Sequence, residues 1–348
     1  MKTLVPYTDD TYYRLRPKIG LPASSLLKID DHFGFNKGAP GFERLYKEGK
    51  MAIIHGCGYE NPSFSHFTAM SYWHTAAPNS GAAYGWVGRL ADKMDAENSP
   101  NFLINIGPTQ SLAVKSYGHT PVVFDDPQKF SREHFFQQRE MFKEVRVERD
   151  ISNTSRNFLL KMERSARQSS GLVQEAWKNY STPVDYGLAQ LDLPKIAALI
   201  KAGMPTRLYY TGYRNNAFDT HVFQRALHQR LLSYTSDALY GFIRDMERIG
   251  RANDVVLMVF SEFGRRVPEN VNLGTDHGAA NVMFVIGNNV KGGHYGKIPS
   301  LADLDPGDNL KHTTDFRRVY ASVINGWLGQ ENTQDLLNGN FNPFDMFT

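Results

Sequence analysis

Short, nearly uninterrupted apolar runs alternate along this chain with longer stretches in which apolar residues recur every three or four positions. Runs at 51–55 (MAIIH), 102–106 (FLINI), 208–211 (LYYT), 254–260 (DVVLMVF) and 281–286 (NVMFVI) have the length of strands. The last two are rich in β-branched residues and read as buried central strands, covered on both faces. Residues 41–50 predict a short helix closed by Gly49. In 65–76 Phe67, Met70 and Trp73 recur every three residues and predict an amphipathic helix. Helices are also expected at 85–94, 191–202 and 221–249, the last burying Leu227, Leu231, Leu232, Leu239 and Ile243. Thr313 and Thr314 precede a closing helix with Asp315 in its first turn and Gly329 near its stop. Residues 1–22 mix polar and aromatic side chains without a clear period.

The order strand, helix, strand, helix predicts an α/β fold: a mostly parallel central sheet with helices on both faces, in a single domain spanning 1–348. At about 128–178 the composition turns charged and polar, without a strand signal. Phe135, Phe136, Met141, Phe142, Leu159, Leu160 and Trp177 need burial there, which favours a helical insertion over a solvated linker.

Composition narrows the function classes. The chain has 348 residues, 41% hydrophobic and 22% charged, enough to bury a large core. A formal charge of +3 without any Lys/Arg block gives no electrostatic footprint for nucleic acid. No apolar run approaches the ~20 residues that cross a bilayer. The opening MKTLVPYTDDTYYRLRP has no apolar core of a secretory signal, though export could be encoded upstream. Cys57 is the single cysteine, so neither an intrachain disulfide nor a thiolate metal cluster is available.

The chemistry-bearing residues sit at strand ends. Glu262 follows the 254–260 run, where open α/β sheets keep their ligand crevices. Asp276 and His277 lie in a turn between Gly274 and Gly278. Asp219 and His221 lie beyond the 208–211 strand, spaced i, i+2, which places both on one face of an extended chain. Carboxylates and imidazoles that converge suit a divalent metal, Zn²⁺ or Mn²⁺ rather than an all-oxygen Ca²⁺ cage. Each residue also has an ordinary reading: a strand exit at Glu262, a turn at Asp276, a helix cap at Asp219. Ser65 opens the 65–76 helix, where free amides and the helix dipole favour bound phosphate or sulfate and an ionised nucleophile; a plain N-cap gives the same local sequence.

Taken together, NPSFSHFTAMSYWHTA, GWVGRL, AFDTHVFQ, FSEFGRR, GTDHGAANVMFVIGNNVKGGHYG and TTDFRRVYASVINGWLG resemble, in that order and over nearly the whole chain, the bacterial domain-of-unknown-function family 1501. That family is assigned to the alkaline phosphatase and sulfatase superfamily. The resemblance implies an alkaline-phosphatase-like sheet, up to two divalent metals, and a nucleophile at a helix start. Ser-Glu-Phe-Gly stands where the superfamily has Ser-Asp-His-Gly, so Glu262 matches a ligand Asp and Phe263 replaces a ligand His. Asp219 and His221 match the upstream ligands and His277 the later one, with Asp276 beside it as a substitute for the missing imidazole. Ser65 falls where the nucleophile stands, with His66 its neighbour. Relatives begin with a strand and a Gly-Gly-x-Asp-Gly turn ahead of the Leu-Val-Pro-Tyr at 4–7, and that Asp resembles a metal ligand. The present sequence starts after it, so the expectation is a truncated start, or a sheet short of one strand and a site short of one ligand. Cys57 precedes Gly58, Tyr59, Glu60 and Asn61, not the Cys-x-Pro-x-Arg setting of formylglycine sulfatases.

The expected function is a metal-dependent hydrolase of phosphate or sulfate esters, carried on a small molecule or a polymer. Ser65 would be its nucleophile, and Arg265 or Arg266 would clamp an anionic oxygen unless both are solvated loop residues. The alternative is a non-catalytic binding or assembly protein that keeps the fold and an incomplete site.

Overall fold

The computed structural model describes residues 2–130 and 168–348. Its strands β1 (Leu4–Pro6), β2 (Leu26–Lys28) and β3 (Phe33–Asn36) form a small antiparallel sheet in the order β1-β3-β2. Next come β4 (Met51–Gly58), β5 (Leu103–Ile106), β6 (Val122–Phe124) and β7 (Leu208–Thr211), then β8 (Leu257–Val259) and the two-residue β9 (Gly264–Arg265) and β10 (His277–Gly278). The last three are β11 (Asn281–Ile286), β12 (Gly293–Tyr295) and β13 (Thr314–Asp315). A five-stranded sheet runs β12-β4-β11-β8, with β13 also on β4, and a separate parallel sheet runs β6-β5-β7.

The single, mostly parallel sheet expected from the sequence is therefore corrected. The described strands form a mixed five-stranded sheet beside a three-stranded parallel one. In the larger sheet β12 and β13 run parallel to β4, whereas β11 is antiparallel to both β4 and β8. Parallel neighbours need a crossover of a dozen or more residues, usually a helix. Residues 260–280 hold only turns and the β9–β10 pair, so the chain leaving β8 returns antiparallel.

Helices do cover both faces, for a reason visible residue by residue. Along β4 Met51 and Ile53 enter one buried cluster, and Ala52 and Ile54 enter the other. Along β11 Phe284 and Ile286 share the first cluster, and Met283 and Val285 the second. Helices Pro40–Lys47, Leu193–Lys201 and Gln224–Arg248 supply Phe42, Ile196 and Phe242 to the first layer. Helices His66–Thr75, Trp86–Met94 and Arg317–Ser322 supply Trp73, Leu90 and Tyr320 to the second. The three-stranded sheet uses the same two layers, with Ile104 and Ile106 in the first and Leu103 and Leu208 in the second. The two sheets thus lie side by side between common helical layers.

Several boundaries differ from the pattern. Asp254 belongs to a 3-10 turn, Ala252–Asp254, which shortens the strand that follows. The long helix begins at Gln224 because Phe223 adopts left-handed backbone, φ 44°. The closing helix passes into a π-turn at Val323–Trp327. Residues 1–22, without a clear period, supply β1 and the helix Asp10–Leu15, whose N-cap Asp9 accepts from the Thr11 amide. The helical insertion expected at about 128–178 lies mostly outside the described residues. Within them, 168–178 is helical and buries Val173 and Ala176.

Candidate metal centre

Strand ends deliver the site. β4 leads to the helix His66–Thr75, β7 to the turn carrying Asp219, and β8 to the loop carrying Glu262. Asn281, the first residue of β11, pins that loop by donating from Nδ2 to the carbonyls of Ser261, 2.5 Å, and Phe263, 3.1 Å. The turn at 270–275 packs hard on the start of the long helix. Asn270 Nδ2 donates to the His221 carbonyl, and the amides of Phe223 and Gln224 donate to the carbonyls of Asn272 and Leu273. A Cβ on Gly274 would lie 1.9 Å from the His221 carbonyl oxygen, so glycine is required for this close approach.

Asp219 is the hub. Its Oδ1 lies 2.7 Å from His221 Nε2 and 2.8 Å from His277 Nε2, and its Oδ2 lies 3.0 Å from His66 Nε2. His66 Nδ1 donates to Glu262 Oε1 at 2.7 Å, and His277 Nδ1 donates to the Phe64 carbonyl at 3.1 Å. Phe263 stacks on the His277 ring with centroids 4.5 Å apart. Burial raises the Asp219 carboxyl, but hydrogen bonds from His277, His66 and His221 outweigh it and hold the group well below the usual carboxylate range. Burial lowers the His66 imidazole, but hydrogen bonds to Glu262 and Asp219 reverse the sign, leaving it above its ordinary value.

These contacts fit a cation. His66, Asp219 and His277 offer one ligand atom each, all within 4.8 Å of one another. His66 Nε2 is buried without an aligned hydrogen-bond partner, despite its 3.0 Å approach to Asp219. With Nδ1 of His66 held by Glu262 and Nδ1 of His277 held by the Phe64 carbonyl, Nε2 is the ring atom that each histidine turns toward Asp219. His221 Nε2 is also 3.2 Å from His277 Nε2. A divalent ion among these imidazoles and the carboxylate would turn such close approaches into attraction.

The residues singled out from sequence separate into groups. Asp219, His221 and His277 meet, with His66 in the place of a ligand atom. Glu262 touches the cluster through His66, whose imidazole it orients. Asp276 sits 3.5 Å from His221 Nδ1, on the other nitrogen from the one facing Asp219, and accepts from Asn270. Burial raises the Asp276 carboxyl; hydrogen bonds from Asn270 and His221 bring it below the ordinary value. Arg265 donates to the carbonyls of Thr275, 2.7 Å, and Phe218, 2.8 Å, so it ties together the two loops that carry His277 and Asp219. Burial lowers its pKa to about 10. Ser65 is exposed at the N-cap of the His66–Thr75 helix, where its side chain makes no capping hydrogen bond among the described residues. The roles of Asn270, Asn281 and the Phe64 carbonyl carry no sequence signal: an amide or a carbonyl in a loop looks alike whether or not it braces a histidine.

Fold and site define a mixed α/β protein with an imidazole–carboxylate cluster at converging strand ends. The chain belongs to the family described as protein of unknown function (DUF1501), which it matches over residues 26–319. No curated protein matches it. Among solved structures it is similar to Ps i-CgsB in complex with k-i-k-neocarrahexaose, at 10% identity and a TM-score of 0.43, over 87% of this chain and 69% of that one. A second structure of Ps i-CgsB matches at 11% identity and a TM-score of 0.38, with the same coverage. Likeness at this level identifies no chemistry for the chain. Among the described residues no helix is long and apolar enough to cross a membrane.

Proposed function

We propose that the protein is a metal-dependent hydrolase of phosphate or sulfate esters. The observation that carries this reading is the convergence of His66 Nε2, Asp219 and His277 Nε2, oriented from behind by Glu262 and the Phe64 carbonyl. His66, Asp219 and His277 would hold the ion, with His221 at the rim. A divalent cation there supplies a lowered hydroxyl or water pKa and a polarised ester oxygen. Ser65, exposed and uncommitted as a cap, would present its hydroxyl beside His66 at the positive end of a ten-residue helix, where developing negative charge is favoured. Arg265 would hold the two ligand loops in register instead of clamping substrate, since its donors meet backbone carbonyls. Phe67, in the first turn of the His66–Thr75 helix, Phe223, the N-cap of the long helix, and Val271, in the 270–275 turn, are 92%, 73% and 95% exposed, and favour an ester with an apolar or extended leaving group.

The test is turnover of an aryl phosphate, an aryl phosphodiester and an aryl sulfate by chelator-stripped and by Zn²⁺- or Mn²⁺-loaded protein. Metal-dependent hydrolysis of one of them, lost in Asp219→Asn, is expected. Binding of metal without turnover of any ester would instead support the binding-protein reading, which the commitment of Arg265 to carbonyls also favours.

A further inference from the structure

Six of the twelve large apolar side chains that stand exposed among the described residues flank the metal cluster. Phe64 and Phe67 lie beside His66, Val222, Phe223 and Leu227 follow His221, and Val271 is in the turn before His277. Hydrogen bonds join these three segments. The Phe64 carbonyl accepts from His277 Nδ1, and the Phe223 amide donates to the Asn272 carbonyl at 2.9 Å. The exposed apolar residues therefore make one rim around the cluster. Backbone strain helps to shape it. Phe223 has φ 44° and Leu273 φ 57°, left-handed values that are rare for bulky residues and persist only where neighbouring bonds enforce them. The amides of Phe223 and Gln224, donating to the carbonyls of Asn272 and Leu273, supply that enforcement.

Charge on the rim has one sign. No carboxylate occurs between Asn61 and Ala91 or between Thr220 and Ser236. From Phe223 the exposed side of the long helix continues through Ala226, Leu227 and Arg230, the i, i+3, i+4, i+7 spacing of one helix face. Arg230 and the equally exposed Arg225 make no ion pair among the described residues. The carboxylates closest to Val271 in sequence are already hydrogen-bonded: Glu269 accepts from the amides of Lys18 and Ile19, and Asp276 from Asn270 Nδ2.

We infer that this rim docks the protein on the surface of an anionic lipid bilayer, with the metal cluster facing the headgroups. The character of the rim selects that occupant. Phe67 and Val271, 92% and 95% exposed, are projections and not the walls of a groove. A deformable acyl boundary buries projecting apolar tips without needing a complementary pocket. Arginines that lack a carboxylate partner beside those tips match anionic headgroups. A protein seated on the same rim would close the cluster, whereas a bilayer brings headgroup phosphates to it. The inference rests on the rim alone and stands whether or not the cluster hydrolyses an ester.

The test is co-sedimentation of the full chain with phosphatidylcholine vesicles, with and without phosphatidylglycerol. Binding to the anionic vesicles is expected, weakening as salt rises. Phe67→Ser and Val271→Ser should each weaken it about tenfold, the equivalent of one apolar side chain left in water. Arg225→Gln and Arg230→Gln together should weaken it about 30-fold and remove the preference for phosphatidylglycerol. Tyr117→Ser, at an exposed aromatic on a different loop, is the control and should change nothing. Unaltered thermal unfolding shows that each variant folds. Absence of vesicle binding would overturn the inference, as would binding that Phe67→Ser and Val271→Ser leave intact or that Tyr117→Ser weakens equally. So would a monomer–dimer equilibrium, shifted by Phe67→Ser and Val271→Ser, in a protein that ignores vesicles, which would make the rim an interface between two copies of the chain.

Discussion

Replacing Glu262 by glutamine separates two geometries for this site. Sequence resemblance makes Glu262 a metal ligand, whereas the structure puts its Oε1 on His66 Nδ1 at 2.7 Å, one imidazole away from the point where ligand atoms meet. Glutamine keeps the length and an acceptor oxygen but turns a charge-assisted hydrogen bond into a neutral one of roughly half the strength. Loss of a carboxylate behind a ligand histidine typically weakens metal binding about 10- to 100-fold, or about 1.4–2.8 kcal/mol. His277→Ala removes a ligand atom outright and is expected to abolish measurable binding. The assay is calorimetric titration of Zn²⁺ into chelator-stripped wild type, Glu262→Gln and His277→Ala. Thermal unfolding gives a second readout, because a metal at about 100 times its Kd stabilises by about 2.7 kcal/mol and a tenfold weaker site gives back about half of that. Equal loss in the two variants would make Glu262 a direct ligand. An unchanged affinity in Glu262→Gln, or wild type that takes up neither Zn²⁺ nor Mn²⁺, would refute the assigned geometry.

Other expectations are equally concrete. Ser65→Ala should leave stability within about 0.5 kcal/mol, because its side chain does not cap the helix. It should also slow metal-dependent ester hydrolysis by orders of magnitude; a stability loss of about 1 kcal/mol with an unchanged rate would make it a cap. Burial lowers His55 and His74 to about 4 and His228 to about 3, with the His294 ring also lowering His55 and nearby cations lowering His228. The unfolded chain, near 6.5 at each position, takes up protons first, so stability should hold above about pH 6.5 and fall from there toward about pH 4. Each histidine contributes up to about 1.4 kcal/mol per pH unit, and His74→Gln should reduce the slope of urea-derived stability against pH by about a third. Arg265→Met leaves the Thr275 and Phe218 carbonyls without their donor and should cost about 3 kcal/mol in chemical denaturation. Gly274→Ala forces the 270–275 turn off the His221 carbonyl and should cost about 1–3 kcal/mol while weakening metal uptake, read by unfolding and by metal titration.

What the sequence determined by itself is local. The runs at 51–55, 102–106, 208–211, 254–260 and 281–286 each contain a strand, shortened to Leu257–Val259 in the fourth, and the 3.6-residue period places the helices, because side-chain direction within an element depends only on its own repeat. The i, i+2 spacing puts Asp219 and His221 on one face of an extended chain, and in the fold their side chains meet at 2.7 Å. Tertiary structure decided how those elements meet. No residue in 281–286 announces that the strand runs antiparallel, since direction follows from the helix-free path between β8 and β11. Likewise nothing local distinguishes His66 from a first-turn surface histidine. Its Nε2 comes within 3.0 Å of Asp219, 153 positions away, only when β4 and β7 end on the same side of the molecule. Nor does sequence separate Glu262 as a ligand from Glu262 as the brace of one, because the difference is a rotation of a loop held by Asn281. A pattern of residues fixes which faces must be buried, and only the packed chain fixes which buried faces touch.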